Sequence, residues 1–194
     1  RIQHDPQKNT GLSSNQIRCI AEDAVGNILA AADGADLNII RLAGDSFEKN
    51  TAPKIQQITL PKHLNVTGIA KDSKGRVWMG GDDHCIYQFD TQTFQLRKAI
   101  EGYSFEVAYA NSDGSLWASD QNHSPFHWDG KRAAPLFEHL SQVFDLQVAP
   151  DGKLWLIKDS SLYGLDLQEW KPGKPLKWST APFFAQMKAP LNAL

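Results

Sequence analysis

The chain has 194 residues, of which 41% are hydrophobic, 10% aromatic and 22% charged, and its net charge is −2. This composition indicates a globular protein and excludes an intrinsically disordered chain. The balanced charge gives no basic surface for nucleic acid, and no apolar run approaches the roughly 18 residues of a membrane span. We therefore expect no nucleic-acid partner and no membrane contact by this segment.

The start of the chain and its cysteines give two further expectations. The sequence begins at Arg1 rather than Met and has no signal peptide, so we expect a mature or excised piece of a longer protein. Cys19 and Cys85 are too few for a disulfide scaffold, and we expect both to be small residues buried in strands.

One unit recurs four times along the chain. Each copy begins with Asp, Asn or Ala and has Gly three positions later. An aliphatic residue stands two positions after the Gly, and Trp follows it in three of the four copies. The glycines Gly26, Gly75, Gly114 and Gly152 are 49, 39 and 38 residues apart. A short β-prone apolar run precedes each copy, which predicts a strand on either side of the repeated segment.

The repeated segment has the chemistry of a type I turn. Asp or Asn accepts hydrogen bonds at the first turn position, and Gly takes the unusual backbone angles at the fourth. We therefore expect a structural role for these residues: Asp23, Gly26, Asp72, Gly75, Asn111, Gly114 and Gly152.

A third and a fourth strand complete each unit. Residues 85–89 and 161–165 have the pattern of a third strand, and residues 94–99 that of a less regular fourth. Four antiparallel strands in about 40 residues, repeated, predict an all-β fold of β-propeller blades. A β-sandwich is the alternative, but it has no reason to repeat the same element at nearly constant spacing.

The repeats predict four recognisable blades that are part of a larger propeller. The blades would span about 12–60, 61–99, 100–138 and 139–180, with residues 1–5 as the outer strand of a preceding blade. Residues 176–180 would form the last outer strand, and 183–194 a connection or the start of another blade. The first blade would hold an insertion within 50–64, where Pro53 and Pro61 mark an outer strand and loop. We expect that this piece alone does not close a ring.

Two segments carry a family resemblance. Residues 11–17 with 20–26, and residues 69–80, resemble the repeats of the two-component regulator propeller family, which read Leu-Ser-x-Asn-x-Val and then Asp-x-x-Gly-x-Leu-Trp-Ile-Gly. The first repeat departs from this pattern at Leu29, the third at Asn111 and the fourth at Ala149. The resemblance covers residues 1–166.

The resemblance implies a sensor region of a membrane-anchored receptor. In this family the propeller is periplasmic, and its output is a histidine kinase, a hybrid kinase or a diguanylate cyclase. The sequence contains no P-loop, kinase nucleotide box, cyclase motif or helix-turn-helix. The chain would therefore be a non-catalytic, ligand-sensing region, with the rest of its propeller or receptor as a partner and dimerisation as one route for the signal.

The loops between the second and third strands are the candidate ligand site. They carry carboxylates, amides and imidazoles that suit sugar hydroxyls, so we expect a small molecule such as a saccharide. The candidate residues are Asp33, Asp82, Asp83, His84, Asp120, Asn122, His123 and Asp159. The alternative is that these loops are simply solvated strand ends. The loops entering each blade, such as 103–104, would face the same side.

Two other functions stay open. Streptogramin lyases are propellers with similar repeats and use a His–Glu arrangement with a metal; His84 and His123 would be the candidates here, but the corresponding loops contain no glutamate. A protein-interaction platform is the third hypothesis. No nucleophile signature or zinc-ligand spacing is present, so we expect no catalytic residue, metal or cofactor.

Overall fold

The computed structural model describes residues 2–4, 11–34, 36–42, 53–61, 64–111, 113–149, 151–159, 161–167, 170–171, 174–176 and 183–187. Within these residues the chain forms four antiparallel sheets of four strands each and no helix. The described part of the chain therefore has no helix with the length and hydropathy needed to span a lipid bilayer. The chain divides into two compact units, Arg1–Ser104 and Phe105–Leu194.

The first unit contains two sheets. The first sheet consists of β1 (Ile17–Glu22), β2 (Ile28–Ala32), β3 (Leu37–Arg41) and β4 (Lys54–Ile58), paired in chain order. The second consists, in the same order, of β5 (Val66–Lys71), β6 (Val77–Gly81), β7 (Cys85–Phe89) and β8 (Leu96–Glu101).

The second unit repeats the arrangement. Its sheets are β9 (Val107–Ala110), β10 (Leu116–Ser119), β11 (Pro125–Trp128) and β12 (Ala133–Pro135), then β13 (Val143–Val148), β14 (Lys153–Lys158), β15 (Ser161–Asp166) and β16 (Phe183–Met187). Neighbouring strands again pair in chain order, so each sheet is the four-stranded meander expected of a blade.

In each unit, alternate residues of the strands form an apolar interface between its two sheets. In the first unit, Leu29 and Ala31 of β2 form one apolar cluster with Val77 and Met79 of β6. In the second unit, Trp117 of β10 packs in the same way with β14. Since side chains alternate along a strand, the side of the first sheet that carries Leu29 and Ala31 faces the second sheet, and the side of the third sheet that carries Trp117 faces the fourth.

The β1–β2 and β5–β6 turns are built around buried aspartates. Asp23 Oδ1 accepts the backbone N–H groups of Val25 and Asn27, each at 2.9 Å. Asp72 Oδ1 does the same for Lys74 and Arg76. These aspartates are 1% and 2% exposed, so their carboxylates are part of the interior and are not available to a ligand.

The corresponding turns of the second unit use different side chains. Asn111 donates its side-chain amide to Ser115 Oγ, while Asp113 accepts the backbone N–H of Ser115. In the fourth sheet Ala149 has no side-chain acceptor. Asp151 supplies one instead and accepts the N–H of Lys153. Gly26, Gly75, Gly114 and Gly152 have φ between 77° and 96°, the left-handed region that glycine favours.

Two strands lie away from their expected positions. Phe94 has a φ of 59° and donates its N–H to Asp90, so it closes a turn and β8 runs from Leu96 to Glu101 instead of 94–99. The outer strand of the fourth sheet is Phe183–Met187, paired with β15, so these residues do not begin another blade. Leu176 instead forms a parallel bridge with Phe137, and residues 177–180 lie outside the described residues.

The repeats predict an outer strand of a preceding blade at residues 1–5. Residues 2–4 have no strand assignment, and residues 1 and 5 lie outside the described residues. Gln3 accepts the N–H of Leu12, and His4 donates its N–H to the Asn15 side chain. The segment therefore bonds to the chain just before β1. Of the expected insertion within 50–64, residues 50–52 and 62–63 also lie outside the described residues, and β4 occupies 54–58.

Candidate functional site

The loops that follow β2, β6, β10 and β14 lie at the sheet ends opposite the buried aspartate turns. Four residues in these loops adopt positive φ: Gly34 at 63°, His84 at 58°, His123 at 56° and Asp159 at 49°. His84 and His123 each donate the backbone N–H to the carbonyl three residues earlier. His, Asn and Asp are enriched in this conformation, so turn geometry gives these residues a structural role.

Asp33, in the β2–β3 loop, pairs with an arginine of its own sheet. Its Oδ1 lies 2.8 Å from Nη2 of Arg18 in β1. The two side chains are 42% exposed for Arg18 and 45% for Asp33, so water competes with the pair. The pair presents both a carboxylate and a guanidinium to solvent at this edge of the first unit.

The β6–β7 loop carries three candidate residues in three different environments. Asp82 accepts two hydrogen bonds from Asn65, the backbone N–H at 3.0 Å and the side-chain amide at 2.7 Å. Asp83 accepts the hydroxyl of Tyr87, and burial together with this contact raises the pKa of Tyr87. His84 is exposed. Asp82 therefore holds the entry to β5, and Asp83 and His84 face solvent.

The β10–β11 loop is organised by Asp120. Its Oδ1 accepts the backbone N–H groups of Asn122 at 2.8 Å and Ser124 at 2.9 Å. The Asn122 side chain is exposed. Asp120 therefore shapes the turn, and Asn122 and His123 are the side chains that it presents.

His123 is the centre of a cluster that the sequence did not reveal. Its Nδ1 lies 3.7 Å from Oε2 of Glu106, and its ring centroid lies 4.8 Å from that of Phe144. The carbonyl of His123 accepts the N–H of Val143, whose own carbonyl accepts the Ser119 hydroxyl. His123, Glu106 and Phe144, which we call the His123 cluster, therefore join the third sheet to the start of β13.

The His123 cluster is open to solvent. Phe144 is 53% exposed, and the His123 and Glu106 side chains are 36% and 40% exposed. An exposed ring beside a carboxylate and an imidazole offers an apolar surface together with hydrogen-bonding groups. Such a combination suits a polyhydroxylated ligand.

A cavity of about 340 Å³ begins at Ser124, the residue after His123. Its volume is that of a small-ligand pocket. Its lining combines the apolar groups of two prolines, Phe137 and Leu140 with two hydroxyls, a carboxylate and an imidazole: Ser124, Pro125, Pro135, Phe137, Glu138, His139, Leu140 and Ser141. Since β11 begins and β12 ends here, the cavity lies at the loop end of the third sheet.

Asp159 lies in the loop after β14. Its Oδ2 is paired with Nζ of Lys158 at 2.5 Å, and its side chain is 59% exposed. Each of the five candidate loop aspartates is therefore bonded within its own sheet or to the segment entering it. Among the described residues no group of three His, Cys, Asp or Glu side chains is placed to hold a metal ion.

The strand register explains why Glu106 was missed. The loops after the second strands contain no glutamate, but Glu106 belongs to the segment entering β9. Because Val107 pairs with Ser119, the preceding residue Glu106 lies beside the loop that begins at Asp120. Its N–H donates to the Ser119 carbonyl at 3.1 Å, which fixes this position.

Residues 60–83 match the protein family described as two component regulator propeller. The matched segment contains β5, β6 and the turn between them, including Asp72, Gly75 and Trp78. The predicted resemblance to this family is confirmed. No curated protein matches the chain in sequence at a significant level.

Similar folds occur among solved structures. The extracellular domain of a hybrid two component system from B. thetaiotaomicron matches with a TM-score of 0.59 and 18% identity, over 80% of this chain and 22% of that chain. Virginiamycin B lyase from Staphylococcus aureus matches with a TM-score of 0.62 and 16% identity, over 96% of this chain and 58% of the lyase. An auxiliary nutrient binding protein from Bacteroides thetaiotaomicron matches with a TM-score of 0.60 and 14% identity, over 96% of this chain and 46% of that protein.

These similarities concern the fold. The prediction of an all-β, propeller-type fold is confirmed by the four meander sheets and by these structures. The chain spans between about a fifth and about three fifths of the length of the structures it resembles.

Proposed function

We propose that the chain is a ligand-sensing propeller region of a membrane-anchored receptor of the two-component type, located outside the cytoplasm and without catalysis of its own. The two component regulator propeller repeat at residues 60–83 supports this proposal. So does the similarity of fold to the extracellular domain of a hybrid two component system. The expected partners are a small molecule, the rest of the receptor chain and a second copy in a homodimer.

The observation that carries the ligand proposal is the exposed ring of Phe144 against His123. A sugar ring presents an apolar face and a rim of hydroxyls, and Phe144 with the His123 imidazole and the Glu106 carboxylate offers the complementary groups. The neighbouring cavity adds the Ser124 hydroxyl. The ligand class is therefore a saccharide, and its site is the loop end of the second unit.

Sensing requires that the ligand bind two states of the receptor with different affinities. The His123 cluster spans the third sheet and the start of the fourth, through the hydrogen bond from Val143 to His123. A ligand that contacts both Phe144 and Glu106 would favour one arrangement of these two sheets. That preference is the physical basis for passing a signal to the output module.

The test is calorimetry of a glycan panel with the complete receptor and its Phe144→Ala variant. Loss of the stacking surface should weaken the affinity for the glycan about 2- to 13-fold, since an aromatic contact contributes roughly 0.5–1.5 kcal/mol. Val25→Ala is the matched control, because Val25 is 78% exposed and lies in the β1–β2 turn, at the other end of its sheet from the loop after β2. Absence of glycan binding, or equal affinity of the Phe144→Ala variant, would contradict the proposal.

A lyase is the second candidate function. The Glu106–His123 pair supplies the His–Glu combination that the sequence analysis did not find, and virginiamycin B lyase has a similar fold. A streptogramin incubated with the complete protein tests this candidate. Turnover that Glu106→Gln and His123→Ala both abolish would support a lyase, and lack of turnover with divalent metal present would exclude it for that substrate.

The third hypothesis is an interaction platform. A partner protein that binds to the chain without competition from any glycan would support it.

A further inference from the structure

The cavity of the second unit has an apolar floor and a polar rim. Phe137 and Leu140, which line it, are 3% and 8% exposed. Glu138, His139 and Ser141 line it as well, and these three residues are exposed. A ligand that enters from solvent therefore meets a carboxylate, an imidazole and a hydroxyl before it reaches the apolar floor.

Much of the backbone around the cavity has no hydrogen-bond donor to offer. Two of its eight lining residues are prolines, which have no N–H group. The N–H of Ser124 donates to the Asp120 carboxylate, and the N–H of Glu138 donates to the carbonyl of Leu176. Four of the eight lining residues thus offer no backbone N–H to a ligand, which disfavours an anionic group.

The side chains at this end of the second unit favour a positively charged group. Glu138 and the carboxylate of the His123 cluster are both exposed to solvent in part or in full. Of the described residues that line the cavity, none is Lys or Arg. Lys158, which pairs with Val143 across β13 and β14, already has Asp159 as its partner. The carboxylates therefore attract a cation and repel an acidic sugar.

The backbone that carries Glu138 is held in place before any ligand binds. Leu136 donates its N–H to the carbonyl of Pro125 at 2.9 Å. Leu176 donates its N–H to the carbonyl of Leu136 at 2.8 Å and accepts the N–H of Glu138 at 3.0 Å. Because these bonds fix the segment, binding at the Glu138 carboxylate requires little ordering of the chain.

A protonated amine matches these groups better than a hydroxyl does. An ammonium group has three N–H donors and no acceptor, so it can bond to a carboxylate and to hydroxyl oxygens at once. The cavity supplies such acceptors in Glu138, Ser124 and Ser141. A hydrogen bond between an ammonium group and a carboxylate is also about twice as strong as one between neutral groups.

We propose that the saccharide bound at this end of the second unit is an amino sugar with a free, protonated amine, which Glu138 binds in the cavity while Phe144 stacks on a sugar ring. This inference rests on the proposed function, in which the second unit binds a saccharide. N-acetylation of the sugar removes the positive charge and leaves one N–H, so the acetylated form should bind more weakly. A uronic acid should bind more weakly still, because its carboxylate is repelled.

Calorimetry of the complete receptor with glucosamine and galactosamine disaccharides tests the inference. Each is compared with its N-acetylated form and with the neutral disaccharide of the same linkage. We expect the free amine to raise the affinity by about fivefold or more over both counterparts. This preference should shrink as the ionic strength is raised, because salt screens the attraction between the ammonium group and the carboxylates.

Two variants locate the preference within the second unit. Glu138→Gln keeps the size of the side chain but removes its charge, and it should abolish most of the preference for the free amine. Asp151→Asn is the matched control, because it removes the same charge from an exposed side chain in the β13–β14 turn, at the other end of the fourth sheet. The control should keep the preference of the unmodified receptor.

Three results would overturn the inference. They are equal or tighter binding of the acetylated or neutral forms, a preference that persists in the Glu138→Gln variant, and an equal loss of preference in both variants. In each of these cases glycan binding itself would leave the proposed function standing. Absence of binding by every glycan of the panel would overturn both, so the two failures are distinguishable.

Discussion

The imidazole of His127 lies against the indole of Trp117, with ring centroids 4.2 Å apart. The two residues are direct partners across β10 and β11. The indole of Trp170 also packs edge-on against the imidazole, with ring centroids 4.8 Å apart. His127 is 8% exposed, and burial lowers its pKa, although the carboxylates of Asp129 and Asp113 oppose the shift. This histidine is therefore a neutral part of the core and is unsuited to bind a solvent-borne ligand.

Acidification should destabilise the second unit through His127. Because the pKa of His127 is lowered in the folded state, the unfolded chain binds the proton first when the pH falls through 6.5, the ordinary pKa of a histidine. The contribution of His127 to the free energy of unfolding is thus constant above pH 7 and falls progressively below about pH 6.5. Denaturant unfolding between pH 7.5 and pH 5, monitored by Trp fluorescence, measures the slope.

The matched comparison for this pH dependence is between two glutamine variants. His127→Gln removes the buried titrating group and should flatten the slope between pH 7 and pH 5. His84→Gln removes an exposed imidazole and is the control for the loss of a histidine side chain. A slope that persists in the His127→Gln variant would assign the effect to other groups.

The buried turn aspartate Asp72 should be a major contributor to stability. Its carboxylate accepts two backbone N–H groups and the Nε of Arg76, and its side chain is 0% exposed. Asp72→Ala leaves these donors without partners and should lower the free energy of unfolding by about 2–4 kcal/mol. Asp151→Ala, which removes an exposed turn carboxylate bonded to Lys153, should cause no comparable loss. Urea denaturation of both variants measures the difference, and equal losses would contradict it.

The fold could be predicted because local chemistry and repetition agree. The Asp-x-x-Gly turns fix where strands end, and the apolar alternation fixes which residues face the neighbouring sheets. The errors lie where pairing between distant residues determines the position of a strand. Phe94 closes a turn through positive φ, and the outer strand of the fourth sheet begins only at Phe183, because Leu176 pairs with Phe137 of the third sheet. No local pattern encodes that pairing.

The candidate site was less predictable than the fold. Sequence showed which polar residues lie in the loops after the second strands, but it could not say which of them already have intramolecular partners. Asp82 is bonded to Asn65, and Asp120 to its own turn, whereas His123 meets Glu106 and Phe144 through strand register. The contacts of Asp82 with Asn65 and of His123 with Glu106 and Phe144 join residues from 17 to 21 positions apart, which a spacing rule cannot identify.

Two loop aspartates should therefore differ in effect. Asp82→Ala removes both acceptors of the Asn65 backbone and side-chain groups and should lower the free energy of unfolding by about 1–3 kcal/mol. Asp33→Ala breaks a largely exposed ion pair with Arg18 and should cost at most about 1 kcal/mol, less at high salt. Thermal unfolding at low and high ionic strength compares them. A larger loss for Asp33→Ala would show that its pair with Arg18 has a greater role.

Gly75 offers a test of how closely adjacent turns approach. Its φ is 77°, and a Cβ built there would lie 2.5 Å from Cβ of Ala24, in the turn of the neighbouring sheet. Lys71 Nζ also reaches the carbonyl of Asp23 at 3.0 Å, so these two turns are held together. Gly75→Ala should therefore suffer both the strain of a left-handed residue and a clash between two sheets.

The control for Gly75 is Gly152, which separates the two effects. Its φ is 82°, but no atom lies within 4 Å of an added Cβ. Gly152→Ala should cost about 1–2 kcal/mol from backbone strain alone. Gly75→Ala should cost more, and Gly75→Ala combined with Ala24→Gly should recover the excess but not the strain. Denaturant unfolding of the three variants measures these costs, and equal losses for the single variants would mean that the turns separate without cost.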